Sequence, residues 1–455
     1  MVGIGILTFV VYIGFIVLWS TLVKRSIAEA MAIGLLVACA FNGYDFLPVL
    51  RNSLISALSS NVMLAIMLFT FMSAIITATG IIGRLVDILN SLLGRIRGGP
   101  AYVSACASAL FGLVAGSGTG NAAAVGSITI PWLKQTGWPS GAAATMNAGN
   151  AGLGIALPPS TPMLLMVGLP VVAQSIHGVG DVYLPLICGG LWTLVYRFVL
   201  IRYYVRRYQI PALPNDQIHP LGEAMRTGGS SLTMFLGCII PILLTTGPLA
   251  GWLEAKESFG SGAVSSMTVI VWVPILITII CLIEGRRYLP KTVNEWKEML
   301  LKTRKTCSTV GGMSFFALAG SEVLTAAGFG ADVQILLEHL GLPKIAMVLV
   351  VGLLIGLTAG PLNGSATIVA LGSIAYMALV NVGIAPINAV VAILIFASTE
   401  GASPPSSAPI FISCSIAEEN DVRVTFKPLV FHYVIPIIFI GVLVALGALP
   451  IAGGN

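Results

Sequence analysis

The sequence predicts an all-α, polytopic membrane protein with about ten spans and two re-entrant helical hairpins, arranged as an inverted-topology repeat. Three observations lead to this fold class: the composition, the placement of the basic residues, and an internal repeat. Of the 455 residues, 56% are hydrophobic and only 9% are charged, whereas soluble proteins average roughly 25% charged residues. The net charge of +5 is too small for nucleic-acid binding as the main role, and we attribute it to membrane topology.

Long apolar stretches define the predicted spans. Basic residues follow the first span rather than precede it, so it is not a cleaved signal peptide. When this span runs from outside to inside, twenty basic residues lie on the inner face and only Arg51, Lys256 and Lys344 lie outside. This bias predicts that both termini are outside. The spans are 3–23, 27–42, 61–83, 139–174, 182–201, 229–249, 264–283, 306–328, 386–415 and 429–449.

Two further apolar stretches do not fit an ordinary span. They run from Arg97 to Pro139 and from Pro343 to Pro386, and Gly, Ser, Thr and Asn residues interrupt both in the middle. Each half has about 15 residues, which is short of the roughly 20 that a helix needs to cross the bilayer. Backbone that breaks at membrane depth must be buried in protein or line a cavity. We therefore predict two re-entrant hairpins, the first entering from inside and the second from outside.

The hairpins belong to an internal repeat. The Gly-Ser-Ile of 126–128 recurs at 372–374, Gly137 recurs as Gly383, and the Pro-Pro-Ser of 158–160 recurs at 404–406, all 246 residues apart. Each repeat contains an odd number of spans, so the two copies are expected to cross the membrane in opposite senses. Inverted repeats of this kind are typical of secondary transporters.

The repeat gives a predicted domain division. Two transport segments, each a hairpin followed by a broken span, alternate with scaffold spans. The segments are 1–98 (N-terminal scaffold), 99–180 (first transport segment), 181–342 (scaffold, with an inner-face linker at 208–226), 343–416 (second transport segment) and 417–455 (C-terminal scaffold).

Four interruptions are the candidate functional positions: the first tip (116–121), the second tip (360–365), the first break (150–160) and the second break (398–406). Glycines let the backbone approach an ion, and tandem prolines free carbonyl groups. Neutral oxygens from Ser, Thr, Asn and the backbone suit a monovalent cation, so we predict one cation site in each copy. The predicted sodium ligands are Ser117, Asn121, Gly152 and Pro158 in the first copy and Gly360, Asn363, Ser365, Thr399 and Glu400 in the second copy.

The substrate is predicted to bind between the cation sites, at Gly118, Thr119, Ser160, Gly364 and Ser406. We find no Arg or Lys at a comparable depth. An anionic substrate is therefore expected to be held by tip amides, hydroxyl groups and helix N-terminal dipoles. The cysteines lie singly in apolar stretches and the histidines are scattered, so no cofactor is predicted other than sodium as the coupling ion.

Two acidic residues, Glu322 and Glu400, are predicted to lie within the membrane, where an acid is a functional candidate. Glu400 either completes the second cation site or accepts a proton. Glu322 either has such a role or is a neutral, hydrogen-bonded residue.

At the first tip the sequence resembles a known family. Ala115 to Thr119, followed by 124–131 and by the run into 157–162, is similar to the large membrane (M) subunit of tripartite ATP-independent periplasmic (TRAP) transporters. The resemblance implies an elevator-type, sodium-coupled importer of small organic anions in a bacterial inner membrane. It also implies two partners, a small four-helix membrane subunit and a periplasmic substrate-binding protein. This sequence differs from the family pattern at Glu400, where a glycine is usual, and at the second tip, where an acidic residue is usual.

Three other functions remain as alternatives. A stand-alone sodium- or proton-coupled carrier or antiporter is favoured by Glu400 and needs no binding protein. A channel fits paired tips and midplane breaks less well than a carrier does. An intramembrane enzyme is disfavoured because no HExxH motif, GxSxG motif or buried Asp pair occurs, and no neighbouring span gives Ser117 a histidine base.

Overall fold

All regular secondary structure in the described residues is helical, which confirms the all-α part of the predicted fold class. The structure is a computed structural model. It describes residues 3–19, 23, 27–115, 118–176, 178–212, 218–245, 252–253, 255–256, 269–329, 331–332, 335, 342–404 and 407–453.

The helices of the N-terminal half are α1 (Ile4–Leu18), α2 (Ile27–Ala40), α3 (Phe46–Ser59), α4 (Asn61–Ala78), α5 (Ile81–Leu93), α6 (Gly99–Ala115), α7 (Gly118–Gln135), α8 (Ser140–Ala151), α9 (Thr161–Val167), α10 (Pro170–Ala173) and α11 (Gly180–Arg207). Those of the C-terminal half are α12 (Leu221–Gly228), α13 (Leu236–Thr245), α14 (Val269–Glu284), α15 (Val293–Ala326), α16 (Lys344–Leu362), α17 (Gly364–Asn381), α18 (Pro386–Ala397), α19 (Ala408–Ala417), α20 (Arg423–Leu429) and α21 (Ile435–Ala445). The two breaks contain 3₁₀ segments, at Gly152–Ala156 and Ser398–Ala402, and a π-helical turn joins α20 to α21.

Helices α3, α5 and α12 were not predicted. The predicted span 61–83 ends early because α4 stops at Ala78 and Gly80 adopts a left-handed conformation, with a φ of +63°. Glycine adopts this conformation without strain, so the chain turns there and α5 begins at Ile81. Helix α12 begins within the predicted linker 208–226, of which residues 213–217 lie outside the described part of the chain.

The hairpin halves are longer than predicted. Helices α6 and α7 have 17 and 18 residues, and α16 and α17 have 19 and 18. At 1.5 Å per residue each half is roughly 26–29 Å long, close to the ~30 Å of a bilayer core. The length argument for re-entrant halves was therefore wrong. The two helices of each pair do pack against each other, as hairpins require.

The same order of elements occurs twice. A hairpin is followed by a helix, a 3₁₀ segment and a second helix in both halves, and α7, α8 and the first 3₁₀ segment begin 246 residues before α17, α18 and the second 3₁₀ segment. Within the described residues, three helical segments are long and apolar enough to cross a membrane: α11, α17 and Arg423–Ala445. A bent pair formed by Gly43–Ser59 and Met63–Ala78 makes a fourth. The ten-span count and the crossing senses stay predictions.

The helices pack in two groups. Helix α15 packs against α2, α3 and α4, and α14 packs against α4, which forms an N-terminal group. The hairpins and broken helices form the other group, in which α11 and α21 pack against α18. The predicted division assigned α11 and α21 to the scaffold, although their contacts are with the transport segments.

Side chains satisfy the first backbone amides of α1 and α15. The Asp332 carboxylate accepts the amide of Gly5 at 2.7 Å and that of Ile6 at 3.3 Å, which satisfies two donors at the start of α1. At the start of α15, Thr292 and Glu295 form a capping box. The amides of Lys291 and Thr292 donate to the Glu295 carboxylate and lower its pKa.

Candidate functional site

The two breaks meet at the centre of the hairpin group. Every residue of both 3₁₀ segments is buried. Gly152 lies against the carbonyl oxygen of Ser398, and Gly401 lies against that of Ala148, so closely that a Cβ atom at either glycine would collide with backbone. Only glycine permits this approach, and it brings the two copies of the repeat into backbone contact.

Asn121 joins the first tip to the first break. Its side chain is fully buried, and its Nδ2 donates to the carbonyl oxygens of Ser108 and Ala151, each at 2.9 Å. Ala151 directly precedes Gly152, so two of the predicted first-copy ligands lie close together. The Asn121 Oδ1 has no hydrogen-bond partner among the described residues. A second close contact, between Gly112 and Gly154, holds α6 against the same break.

Hydroxyl groups join the second tip to the second break. Thr399 Oγ1 donates to the carbonyl oxygen of Phe396 at 2.8 Å and lies 3.5 Å from that of Gly356. Ser403 Oγ lies 2.9 Å from the carbonyl oxygens of both Gly356 and Thr399. Gly360 packs against the Ser403 carbonyl. The predicted ligands Gly360 and Thr399 therefore both contact Ser403.

Glu400 lies between the two hairpins. Its Oε2 accepts the Gly364 amide at 2.9 Å, and a Cβ atom on Gly118 would lie only 2.8 Å from its Oε1. Gly364 begins α17 and Gly118 begins α7, so a single carboxylate lies at two helix N-termini. Glu400 is 3% exposed, and no Lys, Arg or His in the described part of the chain forms an ion pair with it.

The other predicted residues have varied environments. Asn363 has a φ of 66° and caps α17, because its Oδ1 accepts the amide of Ala366 at 3.0 Å. Ser160 caps α9 by accepting the amide of Met163 at 3.3 Å. Thr119 and Ser365 are half-buried, whereas Pro158 is buried. The predictions for Ser117 and Ser406 fall outside the described residues.

Two asparagines on α8 lie in the site, of which Asn150 was predicted to belong to the first break but was given no role, and Asn147 was not predicted. Asn147 Nδ2 donates to the Ala122 carbonyl at 3.0 Å and to Ser413 Oγ at 2.8 Å, which ties α8 to α7 and α19. Its Oδ1 and both polar atoms of the Asn150 side chain have no partner among the described residues, and both side chains are fully buried. Two amides three residues apart on an otherwise apolar helix were the signal for them.

The expectation that no Arg or Lys lies at site depth was wrong. Arg197 on α11 is fully buried and donates to the carbonyl oxygens of Gly149 at 3.1 Å and Thr193 at 3.2 Å. Its guanidinium lies 5.7 Å from the Tyr433 ring, within cation–π range. It is therefore near the C-terminus of α8, where a positive charge is favourable. From the sequence, Arg197 was expected at the inner face, among the basic residues that determine the membrane topology.

Glu322 forms its hydrogen bond outside this region, although its helix α15 also packs against α17. It is half-buried on α15, in the N-terminal group, and its Oε1 accepts the hydroxyl of Ser56 at 3.1 Å. Of its two predicted roles, the hydrogen-bonded structural acid fits this environment.

An all-helical chain whose paired hairpins and broken helices converge on a buried polar centre has the design of a membrane transporter subunit. The chain belongs to the family of the DctM component of tripartite ATP-independent periplasmic transporters, whose family model matches residues 5–450. This confirms the resemblance found at the first tip. It is therefore a multi-pass protein of the bacterial inner membrane and a secondary transporter subunit that works with a small membrane subunit and a periplasmic binding protein.

Similar proteins agree with this family. The chain is 26% identical over 356 residues to the C4-dicarboxylate TRAP transporter large permease protein DctM of Pseudomonas aeruginosa, covering 78% of this chain and 77% of that protein. Its fold is similar to that of MtrF from Neisseria gonorrhoeae (TM-score 0.64, 14% identity, 98% and 97% of the two chains). It is also similar to that of the YdaH transporter from Alcanivorax borkumensis (TM-score 0.61, 15% identity, 89% of each chain).

Proposed function

We propose that this chain is the permease of a sodium-coupled uptake system for a small organic acid, which a periplasmic binding protein delivers and an elevator motion carries across the membrane. The observation that carries the proposal is the convergence of both tips and both breaks around buried oxygen atoms that lack partners in the described residues. A buried polar atom without a partner is costly, and a bound cation would remove that cost.

The first sodium site is proposed at the first tip and first break. Asn121 Oδ1 is buried and available there, next to the carbonyl region of Ala151 and Gly152. Ser117 and Pro158 complete the proposed set. Neutral oxygens at membrane depth replace the water of a monovalent cation without adding net charge.

The second sodium site is proposed at the second tip and second break. Gly360 and Thr399 are close in space through Ser403 and Gly356. Asn363 and Ser365 complete the proposed set, and Glu400 lies beside it, where it accepts the amide of Gly364. The substrate is proposed to lie between the sites, near Gly118, Thr119, Ser160, Gly364 and Ser406, where hydroxyl and amide groups can hold it.

The elevator motion is proposed from the two packing groups and the repeated order of elements. A moving unit contains both hairpins and both broken helices. We assign α11 and α21 to the same unit because both pack against α18. The proposed moving unit therefore includes two helices that the sequence-based division placed in the scaffold. The N-terminal group around α15 is the proposed scaffold.

Transport into proteoliposomes tests the proposal. The chain is reconstituted with its small membrane subunit, and substrate-loaded binding protein is added outside. Uptake should require an inward sodium gradient and should depend sigmoidally on sodium if two ions bind. Equal uptake with potassium in place of sodium, or with a proton gradient alone, would contradict sodium coupling.

A second candidate, a stand-alone carrier, is favoured by one observation, the buried carboxylate of Glu400. An acid at this depth can serve as a proton or cation site without any accessory protein. Uptake of free substrate by this chain alone would establish that candidate, whereas a strict need for the binding protein would exclude it.

A further inference from the structure

The N-termini of the two hairpin helices already hold an anion supplied by the chain itself. The Glu400 carboxylate accepts the first amide of α17 and lies against the first residue of α7. Each helix N-terminus carries roughly half a positive charge, so the two together balance about one carboxylate. This position therefore has no positive charge left over for an incoming anion.

No basic side chain changes this balance. Among the described residues, Arg197 is the one fully buried arginine; it donates to the carbonyls of Gly149 and Thr193 and lies over the Tyr433 ring, so its charge is placed at the C-terminus of α8. Ser407 Oγ donates to the backbone carbonyl of Glu400 at 2.6 Å rather than to its carboxylate. Among the described residues, the carboxylate is thus neutralised by helix ends alone.

The carboxylate also occurs only once. Glu400 is the third residue of the second 3₁₀ segment, and the equivalent residue of the first segment, 246 positions earlier, is Gly154. The substrate position between the tips is therefore electrically asymmetric. One side presents the Glu400 carboxylate, and the other presents only backbone and neutral groups.

We infer that Glu400 determines substrate specificity: it occupies the place of a second substrate carboxylate and selects a small organic acid that also carries a cationic group. This inference rests on the proposed function. A zwitterion directs its cationic end to Glu400 and its carboxylate to the neutral groups and the bound cation. A dicarboxylate instead places like charges side by side in a buried site, which strongly disfavours binding.

Matched ligand pairs test the inference. Succinate and β-alanine share one spacer, and glutarate and 4-aminobutyrate share another, so each pair differs only in exchanging a carboxylate for an ammonium group. Binding to the purified complex in sodium buffer is measured by thermal stabilisation, as the ligand concentration for half the maximal shift. Wild-type protein should favour the zwitterion of each pair by about tenfold or more.

Variants separate the charge of Glu400 from its shape. Glu400→Gln keeps the shape and should reduce the preference to within about threefold, and Glu400→Gly should favour the dicarboxylates. Glu322→Gln removes a different acid, whose Oε1 accepts the hydroxyl of Ser56 on α3, and should retain the wild-type preference. Wild-type protein that favours the dicarboxylates or responds to neither zwitterion overturns the inference, as does an unchanged preference in Glu400→Gln.

The same titrations distinguish failure of the inference from failure of the proposed function. Repeating them with potassium in place of sodium tests the coupling ion independently of ligand charge. Sodium-dependent binding of a dicarboxylate keeps the proposed function and overturns the inference. Zwitterion binding that does not depend on sodium contradicts the coupling while supporting the role of Glu400.

Discussion

The two breaks occupy equivalent positions in the repeat, but different kinds of side chain hydrogen-bond to the backbone at each of them. The first 3₁₀ segment, Gly152–Ala156, contains no polar side chain; Ser160 donates to the carbonyl of Ile155 within it, and Asn121 donates to that of Ala151 just before it. The second, Ser398–Ala402, contains a serine, a threonine and a glutamate whose side chains hydrogen-bond to nearby backbone. The second segment is therefore satisfied by its own residues, and the first depends on residues outside it.

This difference bears on where a cation binds more tightly. In the first copy, the Oδ1 atoms of Asn121, Asn147 and Asn150 are buried without partners in the described residues. In the second copy, the hydroxyls of Thr399 and Ser403 already donate to carbonyl groups. An unsatisfied buried acceptor costs about 1–3 kcal/mol, and a cation at the first break would relieve that cost for these amides, whereas the hydroxyls at the second break are already hydrogen-bonded. We therefore expect the tighter sodium site in the first copy.

The largest expected effect comes from Gly152→Ala. The added Cβ would collide with the carbonyl oxygen of Ser398, a backbone atom that cannot rotate away. Overpacking of this kind costs about 1–3 kcal/mol or more and should displace the two breaks, so both thermal stability in detergent and sodium-dependent uptake should fall. Gly83→Ala is the control, because nothing lies within 4 Å of its added Cβ. Equal behaviour of the two variants would contradict the contact between the copies.

A smaller effect is expected from Asn121→Ala, compared with Thr367→Val at the equivalent position. Removing the Asn121 amide leaves the carbonyls of Ser108 and Ala151 without this donor, at a cost of about 1–3 kcal/mol. Thr367 is buried, but its Oγ1 has no partner among the described residues, so the isosteric valine should be nearly neutral. The midpoint of thermal aggregation measures stability, and the half-saturating sodium concentration for uptake measures coupling.

Of these two variants, Thr367→Val tests more directly whether the two copies of the repeat differ in ion binding. If the valine variant also loses sodium affinity, then the Thr367 hydroxyl is a ligand and the two copies are more alike than their hydrogen bonds indicate. If only Asn121→Ala loses affinity, the difference between the copies extends to ion binding.

A smaller effect than that of Asn121→Ala is expected from Ser403→Ala. The Ser403 hydroxyl has one proton to share between the carbonyls of Gly356 and Thr399. Its loss should cost roughly 1 kcal/mol and lower the thermal midpoint slightly, with the sodium dependence changed less than by Asn121→Ala. A larger change in sodium affinity than in Asn121→Ala would reverse our ranking of the two sites.

The sequence could predict the features that depend only on residues near one another in the chain. Glycines and tandem prolines determine backbone conformation by themselves, so the breaks and the repeat could be found without tertiary information. The buried position of Arg197 could not, because its partner Gly149 is 48 residues away and the positive-inside rule counts basic residues without their contacts. For the same reason, Glu400 could be picked out as a buried acid, but not its contact with the Gly364 amide.

The smallest expected effect concerns the lysines at the hairpin ends. Their contributions to thermal stability should depend on pH in the first copy but not in the second. Lys134, at the end of α7, donates to the carbonyl of Ala417 at 2.9 Å and to the exposed carboxylate of Glu418 at 2.6 Å. Lys344, at the start of α16, donates to the carbonyl of Gly383 at 2.9 Å. Only the first contact includes a titrating partner.

Lys134 lowers the pKa of Glu418, so this pair stabilises the folded protein above the ordinary pKa of glutamate and loses that contribution as the pH falls through the lowered value. The difference in thermal midpoint between wild type and Lys134→Ala should therefore shrink as the pH is lowered, and also at high salt, because the pair is exposed. The difference for Lys344→Ala should not change with pH, because a carbonyl does not titrate. If the two differences follow the same pH profile, the Glu418 carboxylate contributes nothing, and Lys134 acts through the Ala417 carbonyl alone.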